Sequence, residues 1–115
     1  MRKKKEFNPY NLKITEKLEE VRSAKFTLEN CVNKVITKKG VIDLYPEGPD
    51  KEAAKKEFKS AQYSFLCAIG NYDARLQELK NYEKENRDKI TIYVSKFMNS
   101  HELIEFFYQH YERRN

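Results

Sequence analysis

Apolar residues recur along most of this chain at steps of three and four, and one short segment interrupts them. Segment 40–50 holds two of the three glycines and two of the three prolines in the 115-residue sequence. On either side of it, the spacing places apolar side chains on one face of a long helix. The pattern predicts an all-α fold in which two long helices, about 9–39 and 51–86, form an antiparallel hairpin.

The first helix is predicted to begin at Asn8 and Pro9. Asparagine caps helix N-termini, and proline fits the first helical position. Gly40 follows two lysines and is expected to end the helix in the left-handed conformation. The repeat has no apolar member between Val21 and Leu28, and the polar residue Lys25 stands at that skipped step. We expect Lys25 to set the register of self-association. The apolar repeat consists of Ile14, Leu18, Val21, Leu28, Val32 and Val35, widened by Ala24, Phe26 and Cys31.

In the second helix, alanine alternates with larger residues along the repeat. Asp50 is expected to cap the N-terminus of this helix. Side chains of alternating size let two helices approach closely and interdigitate. Gly70 costs about 1 kcal/mol relative to alanine within a helix, which suggests a bend or a close crossing at that point. The repeat consists of Ala54, Phe58, Ala61, Phe65, Ala68, Tyr72, Leu76 and Leu79.

The repeat resumes after a polar stretch, 80–89, and predicts a third helix over about 90–113. The polar stretch is either part of one continuous long helix or a link between two helices. A strand over 90–94 is the alternative for the start of the third element, because β-branched residues alternate there. The third repeat consists of Ile90, Val94, Phe97, His101, Ile104, Tyr108 and Tyr111.

A possible restart of this helix is marked by Asn99. With Glu102 three residues later, Asn99 has the form of a capping box. The three elements together predict either a three-helix bundle or a coiled-coil-like dimer built from the hairpin.

The geometry of the hairpin predicts whether the two cysteines can form a disulfide. If the turn centres near residue 45, facing residues have numbers that sum to about 90, which places Cys31 opposite Lys59. Cys67 then lies about eight residues from Cys31 along the helix axis, or roughly 12 Å. Because a disulfide needs Cα atoms within about 7 Å of each other, we expect two free thiols.

The composition argues against several kinds of chemical site. Three glycines leave no room for a phosphate-binding loop. The two histidines, His101 and His110, are nine residues apart and do not share a helical face. His101 lies on the apolar repeat and is expected in the core or in an interface. We therefore expect a protein that is not an enzyme and that uses no metal, cofactor or small-molecule substrate.

The densest apolar region lies near the C-terminus. Two adjacent residues there, Phe106 and Phe107, cannot both point into one narrow seam of a helix. So wide an apolar arc predicts either the centre of a three-helix bundle or a protein interface, and the polarity of the remaining chain favours the interface. We expect a self-associating interaction module: an adaptor, a chaperone-like partner, an inhibitor or an assembly subunit. The predicted interface residues are Phe97, Ile104, Phe106, Phe107, Tyr108 and Tyr111.

Positive charge is concentrated near the N-terminus. Residues 1–40 carry 11 lysines and arginines against 5 acidic residues, whereas the whole chain has a net charge of +5. Residues 1–8 are predicted to be a basic flexible tail that precedes a single helical domain, 9–115. Because a basic tail can follow a phosphate backbone, the alternative function is nucleic-acid binding through the tail and the first helix. The candidate nucleic-acid contacts are Arg2, Lys3, Lys4 and Lys5.

No segment of the sequence resembles a targeting or membrane element. Charged residues make up 36% of the chain and leave no run of about 18 apolar residues of the kind that crosses a membrane. The basic N-terminus lacks the apolar region of a secretory signal. We expect a cytoplasmic location, with export without a cleaved signal as the alternative.

A helical hairpin of this size is similar to the small partners and cargo of type VII secretion. Tyr108 and Glu112 have the spacing of the short tail signal of that group. The Trp-x-Gly turn of its best-known members is absent, since the chain has no tryptophan. The resemblance assigns no family.

Overall fold

The computed structural model of the protein describes residues 7–112. Within that range the chain forms three helices and no strand: α1 (Pro9–Ile42), α2 (Pro49–Glu85) and α3 (Ser100–Glu112). The molecule is elongated and measures 75 × 25 × 24 Å. The predicted all-α class is confirmed, and the hairpin of α1 and α2 is the main packing unit.

Helix α1 begins as the sequence predicts and ends later. The Asn8 side chain accepts hydrogen bonds from the backbone N–H groups of Tyr10 and Asn11, and Pro9 occupies the first helical position. The prediction that Gly40 ends the helix is wrong, because α1 continues through Ile42. A glycine inside a helix costs only about 1 kcal/mol, and the Ile42 side chain at the end of the longer helix is half-buried.

Helix α2 begins at Pro49, one residue before the predicted cap. Gly48 is the N-cap residue, with a φ of 149° that an L side chain rarely adopts. The prediction that Asp50 caps the helix is therefore wrong. Asp50 lies in the first helical turn, where its carboxylate is favourable beside the positive end of the helix dipole. Because proline is favoured at the first position, Pro49 fixes the start of the helix.

Three contacts between α1 and α2 define the register of the hairpin. Two of them are ion pairs, Glu20–Arg75 at 3.6 Å and Lys38–Glu57 at 3.0 Å. The third is the contact between the Cys31 sulfur and the Ser64 carbonyl oxygen at 3.9 Å. The residue numbers of each pair sum to 95 rather than to the expected 90. The difference arises because α1 extends past Gly40, which moves the centre of the turn to between residues 47 and 48.

The core confirms most of the two apolar repeats. Every member of the α1 repeat is buried, and Ala24 fills its skipped step. Lys25 is exposed, so its predicted place in the repeat is wrong. Phe26, which was expected to widen the repeat, is also exposed. The buried residues of α2 are Ala54, Ala61, Ala68, Tyr72, Leu76 and Leu79, whereas Phe58 and Phe65 are half-buried.

The segment between α2 and α3 differs most from expectation. The predicted helix over 90–113 is wrong for residues 90–99, which we call the strap, and the alternative strand over 90–94 is wrong as well. The chain turns at 86–89, bends at Ile92 and then runs without a turn or bend to Asn99. β-Branched and aromatic residues weaken helix formation here, while tertiary contacts hold the strap. Its partly buried core contacts are Ile90, Val94 and Phe97.

Helix α3 begins at the predicted capping box. The Asn99 side chain accepts a hydrogen bond from the Glu102 backbone N–H at 2.9 Å and donates one to the Glu102 carboxylate at 3.0 Å. The helix runs antiparallel to α2, since Met98 contacts Tyr72 whereas Tyr108 contacts Phe65. It therefore covers the middle of the hairpin and leaves the loop end as two helices.

The buried face of α3 is set by two residues outside the predicted repeat. Leu103 is 2% exposed and Phe107 is 3% exposed. His101 is exposed, so its expected place in the core is wrong, while its alternative place in an interface with another chain stays a prediction. The predicted repeat assumed one continuous helix from Ile90, but α3 starts only at Ser100. The helical spacing counted from Ile90 therefore does not apply to α3, and its buried face centres on Leu103 and Phe107.

Candidate interaction surface

The structure separates the predicted interface residues into three groups. Phe107 is buried in the chain's own core, and Phe106 is 53% exposed. The others are half-buried and pack against the edge of the core: Phe97, Ile104, Tyr108 and Tyr111. Successive residues of a helix point about 100° apart, so only one of the two adjacent phenylalanines can face the core. The two rings touch edge to face at 5.9 Å between centroids.

Exposed apolar residues gather where α3 and the strap meet α1. Phe106 and Met98 line a shallow cleft beside Arg22 and Lys25 of α1. Phe26 lies one helical turn after Arg22 and therefore on the same side of α1. We call Phe26, Met98 and Phe106 the aromatic patch; each is about half exposed or more. Phe26 was missed as a surface residue because its apolar character placed it in the repeat.

Two tyrosine hydroxyls hold the elements that present this patch. Tyr111 donates to the Glu29 carboxylate at 2.9 Å and ties α3 to α1. Tyr72 donates to the Met98 carbonyl oxygen at 2.6 Å and ties the strap to α2. Burial, and to a smaller extent the charge of Asp73, raises the pKa of Tyr72 to about 12. The hydroxyl therefore remains a donor throughout the physiological range, and the backbone beside Phe106 is fixed in position.

A larger cleft of about 640 Å³ lies between the strap and α2. Its apolar lining includes Leu76, Leu79 and Ile90. Its charged lining consists of three cations, Lys80, Arg87 and Lys96, and one acid, Glu83. Small-molecule sites in proteins are usually clefts of about 300–1,000 Å³ with mostly apolar linings. The sequence did not reveal this cleft, because the strap was predicted as helix.

A second exposed apolar pair lies on the outer face of α2. Tyr63 is 70% exposed and Leu66 is 65% exposed, three residues apart on one side of the helix. Neither residue belongs to an apolar repeat, so the sequence pattern gave no sign of a surface there.

The groups able to carry chemistry are scattered in this structure. Cys31 and Cys67 are free thiols, as expected. Because the numbers of facing residues sum to 95, Cys67 lies opposite Leu28. The two cysteines are therefore three residues apart along the helix axis, an axial separation of about 4.5 Å and not the expected 12 Å. Burial raises the pKa of the Cys31 thiol; nearby Lys34 lowers it and Cys67 raises it by smaller amounts.

Metal-ligating side chains do not converge in the part of the chain that the structure describes. No group of three or more His, Cys, Asp or Glu side chains there is placed to hold a metal ion. The His110 ring packs edge to face on Tyr111, at 5.1 Å between centroids, and both His110 and His101 are exposed. Over the same residues, no helix is long and apolar enough to cross a membrane.

The four candidate nucleic-acid contacts, Arg2, Lys3, Lys4 and Lys5, lie outside the described residues. The start of α1 contacts the turn after α2. The Asn8 side chain donates to the Lys89 carbonyl oxygen at 3.0 Å, and the Lys89 ammonium lies 4.9 Å from the centre of the Tyr10 ring. The chain thus enters α1 beside a turn that carries Arg87 and Lys89.

Comparison of the chain with protein-family models, with curated proteins and with solved structures gives no match. The functional argument therefore depends on the surfaces described above.

Proposed function

We propose that this chain is a small non-enzymatic helical module that binds other protein chains and associates with itself through the aromatic patch. The observation that carries the proposal is the 53% exposure of Phe106 on α3, which the Tyr111 hydrogen bond ties to α1, while the Tyr72 hydrogen bond holds the adjoining strap. A rigid, exposed aromatic side chain loses little conformational entropy when a partner covers it. Interface hot spots are enriched in such residues.

The charges around the patch suit a symmetric dimer. Lys25 of α1 lines the cleft beside Phe106, and Glu102 lies one turn before Phe106 on α3. A two-fold axis near Phe106 brings the same surface of both subunits together. In that arrangement each Lys25 approaches the Glu102 carboxylate of the other subunit, so that opposite charges flank the buried aromatic side chains.

Sedimentation equilibrium of the full chain from about 5 to 200 µM tests self-association. We expect a monomer–dimer equilibrium for the wild type. Phe106→Ser should weaken dimerisation at least about tenfold, as removal of a hot-spot residue does. Tyr63→Ser is the matched control, because Tyr63 is at least as exposed as Phe106 (70% against 53%) but lies on the outer face of α2. A wild type that remains monomeric at 200 µM, or equal weakening by both variants, contradicts self-association through the patch.

Nucleic-acid binding through the basic tail is the second candidate. The hydrogen bond from Asn8 to Lys89 favours it, because the chain then enters α1 next to the cations Arg87 and Lys89. Fluorescence anisotropy with a labelled 20-base-pair DNA and a matching RNA at 50 and 150 mM salt tests this function. We expect affinity to fall steeply with salt and to fall again when residues 1–5 are deleted. An affinity that the deletion leaves unchanged contradicts a role for the tail.

A further inference from the structure

We propose that the strap is a strand-addition site, at which a partner protein inserts an extended acidic peptide into the cleft between the strap and α2. The peptide pairs with the backbone of residues 93–97. This inference depends on the proposed interaction function, because it names a second partner for the module. The cleft lies against α2, whereas the shallow cleft beside Phe106 lies against α1 and α3, and the two share Ser95, Lys96 and Phe97 of the strap.

The backbone of the strap carries unused hydrogen-bonding groups. The Thr91 N–H donates to the Asn11 side chain at 2.9 Å, and the Met98 carbonyl accepts from Tyr72 at 2.6 Å. Between these two anchors, no N–H or C=O of residues 93–97 has a hydrogen-bond partner among residues 7–112. Backbone groups in folded proteins are nearly always paired with protein or with water. Residues 93–97 also line the cleft, so their backbone groups are available to an extended chain bound there.

The course of the strap suits pairing with a second extended chain. Residues 93–99 run without a turn or bend, so successive peptide groups are displayed along a line. Tyr93 and Val94 belong to the residue types that favour strands. Val94 packs against the core, whereas Tyr93 is 84% exposed and stands beside the cleft. An added strand would cover the Tyr93 ring and complete the backbone hydrogen bonds, which is the general mode of peptide capture by strand addition.

The volume and lining of the cleft fit a peptide of about five residues. Five extended residues span roughly 17 Å; the cleft follows α2 from Leu76 to Glu83, about 10 Å of helix, and continues to Arg87 in the turn after α2. Leu76 and Leu79 are buried in the core and offer an apolar floor. Because side chains of a strand alternate in direction, every second residue of the peptide can face this floor and should be apolar.

The charge of the cleft favours acidic residues at the peptide positions that do not face the apolar floor. Lys80, Arg87 and Lys96 line it, and none of the three has an ion-pair partner within residues 7–112. Glu83 is the only acid among the lining residues. A peptide that carries glutamate or aspartate toward the rim would neutralise these cations, whereas a basic peptide would be repelled. Charge complementarity and the open backbone edge therefore indicate the same occupant.

The probe for this site is a fluorescein-labelled ten-residue peptide in which valine and glutamate alternate. We expect it to bind the full chain with micromolar affinity in fluorescence anisotropy. The peptide with lysine in place of glutamate should not bind. Peptides with N-methyl groups on alternate backbone amides, in either phase, keep the side chains but lose donors, and one phase should bind at least about tenfold more weakly.

Variants of the protein test the position of the peptide. Lys96→Glu should weaken peptide binding at least about tenfold, because it reverses a rim charge. Lys59→Glu is the control, since it makes the same charge change on an exposed site of α2 remote from the cleft. Hydrogen exchange of the amides of residues 93–97 should slow at least about tenfold in the complex. Phe106→Ser should leave peptide affinity unchanged, so loss of dimerisation and loss of peptide binding remain distinguishable.

Three results would overturn the inference. One is the absence of peptide binding, or equal weakening by Lys96→Glu and Lys59→Glu. Another is an affinity that N-methylation in both phases leaves unchanged, since the backbone edge would then play no part. The last is saturable binding of dodecanoate in the cleft without binding of the peptide, which would assign the cleft to an anionic lipid.

Discussion

The two ends of this molecule have the same apolar spacing but differ in how much they bury. We call the end formed by residues 8–29 and 65–112 the base, and the end formed by residues 30–64 the arm. In the base, the strap and α3 cover the hairpin as a third layer; the arm consists of two helices and their loop. The largest fully buried side chains are Tyr72, Ile14, Leu28, Leu79, Val21 and Val32, and all except Val32 lie in the base.

The difference shows how little apolar side-chain surface two helices can bury without a third layer. Two helices bury only the narrow seam between them, and in the arm this seam is filled by small residues such as Ala54 and Ala61. Phe58 of the arm stays half-buried although it belongs to the repeat. In the base, α3 closes over the seam and large side chains reach full burial. We therefore expect most of the stability of the protein to come from the base.

A matched pair of valines in α1 gives the largest expected effect. Val21 lies in the base at 0% exposure, and Val35 lies in the arm at 6%. Val21→Ala should lower the free energy of unfolding by about 2–3 kcal/mol, because the three-layer core collapses only partly around the cavity. Val35→Ala should cost about 1 kcal/mol, because two helices can close around the smaller side chain. Urea denaturation followed by circular dichroism measures both values.

The comparison fails if the two valine variants lose the same stability. Such a result would mean that the arm is packed as tightly as the base. The dependence of unfolding free energy on urea should be unchanged in both variants, which shows that the cost belongs to the folded state.

The hydroxyl of Tyr72 gives the next largest effect. Tyr72→Phe removes the 2.6 Å hydrogen bond to the Met98 carbonyl and should cost about 1–1.5 kcal/mol. Tyr63→Phe, on the exposed face of the arm, removes a hydroxyl with no partner within residues 7–112 and should cost nearly nothing. Thermal or urea unfolding at pH 7 measures both. Equal stability of the two variants would contradict the role of Tyr72 in holding the strap.

Alkaline titration checks the same group independently. The pKa of Tyr72 is raised from 10 to about 12 in the folded protein. Between these two values the unfolded chain has lost the Tyr72 proton while the folded chain retains it, so stability falls as the pH rises through this range. Tyr72→Phe should show a shallower fall between pH 10 and 12 than Tyr63→Phe. A fall of equal slope in both variants would contradict the raised pKa.

The sequence predicted those parts of the fold that depend on local signals. The Asn8 cap and the Asn99 capping box each require only residues within three positions, and both are present. The α1 repeat identified its buried face correctly because one straight helix keeps its phase over many turns. Local chemistry and a constant period were sufficient for these elements.

The remaining parts depend on contacts between distant residues. The strap has a helical repeat, yet its backbone is held by the side chains of Asn11 and Tyr72 from two other helices. A restart at Ser100 reset the phase of α3, which placed Phe107 in the core and left Phe106 exposed. No local pattern distinguishes those two phenylalanines. The candidate surfaces were therefore only partly predictable: the C-terminal region was identified, but the cleft beside the strap was not.

The smallest expected effects come from two glycines inside helices, one at each end of the molecule. Gly70 lies in the base and Gly40 in the arm, and a Cβ added at either would meet no atom within 4 Å. Alanine is favoured over glycine in a helix by up to about 1 kcal/mol. Gly70→Ala should therefore raise the free energy of unfolding by about 0.5–1 kcal/mol in urea denaturation. Gly48→Ala is the opposing control and should destabilise, since Gly48 has a φ of 149°.

Gly40→Ala decides whether the arm unfolds together with the base. If both ends unfold in one step, the two substitutions add similar amounts to the global free energy of unfolding, reduced only by the position of Gly40 near the end of α1. If the thinner arm opens first, Gly40→Ala slows hydrogen exchange in residues 33–42 but leaves the global urea midpoint unchanged. We expect the second result, because all but one of the largest fully buried side chains lie in the base. A global gain from Gly40→Ala equal to that from Gly70→Ala would show instead that the two-helix arm and the three-layer base are one cooperative unit.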